Sequence, residues 1–231
     1  MKVLLQKVEQ SPALIRVVPF VLFLALTYLQ GHLGEAARYW LYLVKTLVGA
    51  WMIAWMWPRV KEMRWNWSGA ALFVGVGIFI LWVGLDAALK ALGLDPAFAK
   101  MGKPGPAWNP HVAFGADSAL AWGLVMVRTL GSSLVVPPLE EVFYRSFVYR
   151  YLMKADFEQV PLSRFAWIPF GITSVLFGFE HYEWLAGLLC GLAFQGLVCG
   201  QGRLGDAITA HMITNFLLSV WVIWQNAWHF W

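Results

Sequence analysis

Apolar stretches close to twenty residues long recur along this chain, and that one feature excludes most folds. They lie at about 13–30, 39–57, 69–92, 117–136, 165–180, 183–200 and 206–228. A helix needs about 20 apolar residues to cross a bilayer. In hydrocarbon every backbone N–H and C=O must be satisfied within the protein, so such stretches are helices. The composition agrees: 13% of residues are charged and 60% are hydrophobic, whereas a soluble domain carries about 25% charge. An all-α, polytopic transmembrane helical bundle of seven or eight helices is predicted. No extended hydrophilic block interrupts it, so one integral membrane domain is expected. Its N-terminal part is 1–116, helices and a loop, and its C-terminal part is 117–231.

The charges sit between the runs. Lys2 and Lys7 precede the first run, but no clean small-residue cleavage site follows, so it reads as a retained helix and not as a signal peptide. Arg59, Lys61 and Arg64 cluster in "PRVKEMRWNW", which predicts a cytoplasmic loop. The net charge of +4 fits such loops, and no basic run suits nucleic acid. The segment 93–116, with its prolines and glycines, reads as one long loop. Cys190 and Cys199 fall on opposite faces of one helix, so inert thiols are expected. Gly187 and Gly191, then Gly196 and Gly200, have the spacing that lets helices approach closely in lipid. Trp221, Trp224, Trp228 and Trp231 form a stripe expected to anchor at the interface.

Against this background the polar residues of the C-terminal half stand out, because ionisable groups in membrane helices are costly and mark function. "PPLEEVFYR" holds Glu140, Glu141 and Arg145. Pro137 and Pro138 predict the start of a new helix with both glutamates in its first turn, where the helix dipole favours carboxylates. "FGFEH" sets Phe177 and His181 on one face, and "HMITN" does the same for His211 and Asn215. A glutamate and a histidine can deprotonate a water. A histidine and an asparagine can donate hydrogen bonds to the oxyanion formed when water attacks an amide. Glu140, His181 and His211 are also a possible zinc set, although no HExxH helix is present.

The three motifs, in this order and on successive apolar runs, resemble those of the CAAX prenyl protease and bacteriocin-processing family, over about residues 117–220. The resemblance implies an intramembrane glutamate-dependent endopeptidase with no cofactor. It makes Glu140 and His181 the water-activating pair and His211 and Asn215 the oxyanion site, with Glu141 and Arg145 as a structural pair. It implies a protein or peptide substrate, the lipid bilayer as surroundings, and a multi-pass protein of the bacterial inner membrane. Two other readings stand beside it: a non-catalytic immunity or scaffold protein of the same fold, and a zinc peptidase. If every run spans fully, Glu140 and His181 lie near one membrane face and His211 near the other. Some helix must then be short or irregular, and the glycine-rich run 183–200 is the expected place.

Overall fold

The computed structural model describes residues 2–94, 107–116 and 118–231. Half of the long loop expected at 93–116 falls outside them, and its described part holds a short helix, Pro110–Phe114. The described residues are helical, with no strand: α1 (Lys2–Glu9), α2 (Pro12–His32), α3 (Glu35–Met56), α4 (Gly69–Ala91), α5 (Pro110–Phe114), α6 (Ala119–Tyr151), α7 (Trp167–Phe179), α8 (Trp184–Gln201) and α9 (Leu204–Gln225). Helices α2, α6, α8 and α9 are long and apolar enough to cross a membrane. In α3, Lys45 and a set of tyrosines and tryptophans dilute the apolar run read at 39–57.

Local chemistry sets the helix ends. Ser11 caps α2, accepting from the Leu14 N–H at 3.3 Å, with Pro12 at the first helical position. Ser118 does the same for α6 through the Ala121 N–H at 3.4 Å. Gly202 closes α8 with φ +66°, a conformation that a Cβ disfavours.

The helix expected to start at Pro138 does not exist. One 33-residue helix runs from Ala119 to Tyr151, with both prolines inside it. The chain widens to π-helical turns at Gly131–Val135 and Val142–Val148, on either side of Val136–Glu141. Widened turns let the helix pass the prolines without a break. The glutamates therefore sit deep in a helix and gain nothing from a helix N-terminus.

Packing is tightest where side chains vanish. A Cβ on Gly178 would meet the Leu188 backbone at 2.9 Å, and one on Gly191 would meet Ser174 at 3.0 Å. Gly187 belongs to the same α7–α8 contact, but Gly196 and Gly200 face open space. Of the two expected glycine pairs, only the first packs helices. Helix α8 is regular over its 18 residues, so the glycine-rich run is not the irregular one. The short element is α7, at 13 residues, a rise of about 20 Å. It ends part-way through the bundle, at the depth of the polar cluster.

The outside is apolar: Phe73 is 80% exposed and Trp167 80%, as lipid-facing side chains are. The tryptophan stripe divides. Trp224 is 73% exposed, but Trp231 turns inward to line a cavity.

Candidate active site

The site is assembled from α6, the end of α7, α8 and α9. Its base is a fully buried ion pair, Glu141 Oε2 to Arg145 Nε at 3.2 Å, one helical turn apart. The Arg145 guanidinium lies 4.1 Å from the centre of the Phe177 ring, and its Nη2 reaches the Gly191 carbonyl at 3.5 Å. The second oxygen of the same carboxylate, Glu141 Oε1, accepts from His211 Nδ1 at 3.0 Å. Glu141 thus joins an arginine on its own helix to a histidine on α9. The motif spacing shows only the first of these contacts, because the second crosses between helices.

Two hydrogen bonds settle which ring nitrogens are free. A carboxylate paired with arginine accepts, so His211 Nδ1 carries a proton and Nε2 faces onward, 3.9 Å from Glu140 Oε2. His181 Nδ1 meets the Phe177 carbonyl at 2.8 Å. A carbonyl only accepts, so this ring also holds its proton on Nδ1 and presents Nε2. Phe177 and Trp82 pack against the His181 ring, with centroids at 4.8 and 5.5 Å.

Asn215 is fixed by the prolines. In the widened turn the Val136 N–H bonds the Gly131 carbonyl, five residues back. By that register Pro137 would meet the Ser132 carbonyl, but proline has no N–H. The freed Ser132 carbonyl accepts instead from Asn215 Nδ2 at 2.9 Å. One amide hydrogen of Asn215 is thereby held by the backbone.

His181, His211, Asn215 and Ser132 line one cavity of about 160 Å³. Glu140 is not part of its wall. Glu140 faces His211 Nε2 at 3.9 Å, and its Oε2 is buried without a hydrogen-bond partner. Glu180, adjacent to His181 and unremarked in the sequence reading, interacts with Glu140, Tyr144 and Arg145. Three carboxylates therefore share the field of the Arg145 guanidinium, and Glu141 alone pairs with it directly. The signal was present in "FGFEH", but the period of four that selected Phe177 and His181 passes over Glu180.

Among the described residues, no three His, Cys, Asp or Glu side chains are spaced to hold a metal ion. Cys190 and Cys199 are free thiols, and Cys190 borders the cavity.

Residues 121–217 match a family model described as type II CAAX prenyl endopeptidase Rce1-like. Neither the curated proteins nor the solved structures gave a match. The matched stretch contains all six motif residues, and it supports the likeness to the CAAX prenyl protease and bacteriocin-processing family.

Proposed function

We propose that this integral membrane protein is an intramembrane endopeptidase that hydrolyses a peptide bond of a membrane-associated protein or peptide. The observation that carries this reading is the His211 imidazole, held by Glu141 on one side and facing Glu140 on the other, at the wall of a cavity shared with His181 and Asn215. Glu140, which reaches the cavity only past His211 Nε2, takes a proton from an attacking water that enters beside that nitrogen and is oriented by His181 Nε2. The oxyanion that forms on the substrate carbonyl receives hydrogen bonds from the second Asn215 N–H and from His211, whose Nε2 takes over the proton that Glu140 drew from the water, across their 3.9 Å contact. Glu141 balances the resulting imidazolium, as a carboxylate oriented on Nδ1 does elsewhere. That same proton then passes from His211 Nε2 to the leaving amine as the carbon–nitrogen bond breaks, which returns the imidazole to its neutral form. Each step uses the chain's own residues, and no metal is required. The bacterial inner membrane is the proposed location, with the basic 58–66 loop towards the cytoplasm.

The test is cleavage of a peptide library by the protein purified in detergent, read by mass spectrometry. Glu140→Ala is expected to lower turnover by about two to four orders of magnitude while the thermal transition stays in place. A variant that cleaves at the parent rate sinks the assignment. A parent protein that cuts nothing while folded supports the immunity or scaffold reading.

A further inference from the structure

Every fully buried arginine among the described residues has a carboxylate partner. Arg16 and Arg150 share Glu62, at 2.7 and 2.6 Å, and Arg145 holds Glu141. Arg128, which is partly buried, has no carboxylate partner among the described residues. It lies on α6 within a membrane span and lines the same cavity as His181, His211 and Asn215. Its Nε is buried with no acceptor, and among the described residues no ion pair holds its guanidinium. The rings of Tyr42, Trp108 and Trp231 surround it at 4.8, 4.8 and 5.2 Å.

A second basic group lies beside it. Lys45, 94% buried, stacks on the same Tyr42 ring at 4.6 Å and gives a hydrogen bond to Thr27 at 3.1 Å. Among the described residues, the ionisable groups acting on Arg128 are Tyr42, Arg38 and Tyr39, with no carboxylate. Rings packed on the guanidinium faces leave its edge N–H groups open, and that edge matches the two oxygens of a carboxylate. A cation in a membrane span otherwise finds a partner within the protein.

We propose that Arg128 is a specificity-determining anion subsite of the cavity, and that the peptide bound there presents a carboxylate to it. That the carboxylate belongs to a peptide rests on the endopeptidase reading; the subsite itself rests on the placement of Arg128. Two sources of the carboxylate are possible: a free C-terminus or an acidic side chain.

The full-length protein in detergent would be titrated with three forms of one apolar acetylated pentapeptide: the free acid, the C-terminal amide, and the amide with one internal glutamate. Binding is measured by calorimetry. At least one charged form is expected to bind about tenfold or more tightly than the neutral amide, as a hydrogen-bonded charge contributes. Preference for the free acid identifies a C-terminus, and preference for the glutamate form identifies a side chain. Arg128→Gln should bring the three forms to within about twofold, whereas Glu140→Gln should keep the preference while ending any cleavage. Arg128→Lys retains the charge but not the fork, and should lose most of the preference with the fold intact. Equal binding of charged and neutral forms by the parent, no binding of any form, or a preference that survives both arginine variants would overturn the proposal. A parent that shows the preference but cuts no peptide removes the endopeptidase reading and leaves the subsite standing.

Discussion

At the residue scale, Glu141 is the hinge of the arrangement. It is fully buried and divides its two oxygens between Arg145 and His211. Glu141→Ala and Arg145→Ala each leave a buried group uncompensated, so each should lower stability by about 3–5 kcal/mol, measured by thermal unfolding in detergent. Their activities should then part. Glu141→Ala also frees His211, so its turnover per folded molecule should fall further than that of Arg145→Ala. Equal turnover in the two variants would remove the orienting role. Asn215→Ala should lower turnover by about a hundred- to a thousandfold, as the loss of one oxyanion donor does. In the same assay a strong chelator should leave the parent rate unchanged. Loss of activity on chelation, restored by added zinc, would turn the reading to a zinc peptidase.

At the scale of elements, the short α7 and the proline-bearing α6 bring the site to one depth. Helix α7 ends at Phe179, so the following turn places His181 inside the bundle. That placement depends on α7 lying close against α8. Gly178 allows it, because a Cβ there would sit 2.9–3.0 Å from Leu188 and Trp184 backbone atoms. Backbone cannot yield as a flexible side chain does, so Gly178→Ala should cost about 1–3 kcal/mol and move His181 with it. Gly196→Ala, on the same helix pair but facing open space, is the matched control and should be close to neutral. If both alanines behave alike in thermal unfolding, close packing is not what positions α7.

At the scale of the whole molecule, a polar clamp closes one end of the bundle. Glu62, in the connection between α3 and α4, accepts at one oxygen from Arg16 of α2 and from Arg150 and Ser146 of α6, at 2.5–3.2 Å. Glu158, beyond α6, also meets Arg16 at 3.1 Å. Burial works to raise the Glu62 pKa, but Arg16 and the Ser146 hydroxyl outweigh it and hold the carboxyl down at about 2. A carboxyl lowered on folding stabilises the protein above its unfolded value of 4.5. That contribution is lost as the pH falls from about 4.5 through about 2. The melting temperature in detergent should therefore drop across this window, and Glu62→Gln should flatten the drop. An unchanged acid limb in the variant would show that other carboxylates carry the effect.

The sequence alone determined the class of fold and the identity of the motif residues. Runs of about twenty apolar residues admit little besides membrane helices, and polar side chains inside such runs are costly enough to reveal themselves. The spacing of four also disclosed Glu141 with Arg145, because that contact lies within one helix. What crosses between helices was decided by the tertiary structure. The bond from Glu141 to His211, the convergence of Glu180 on Glu140, and the grip of Ser132 on Asn215 each join residues far apart in the chain. The prolines show the limit most clearly. Local propensity makes a proline pair a helix start, but packing on both sides kept α6 continuous. The widened turns absorbed the missing N–H groups, and a carbonyl left over by that compromise came to hold Asn215.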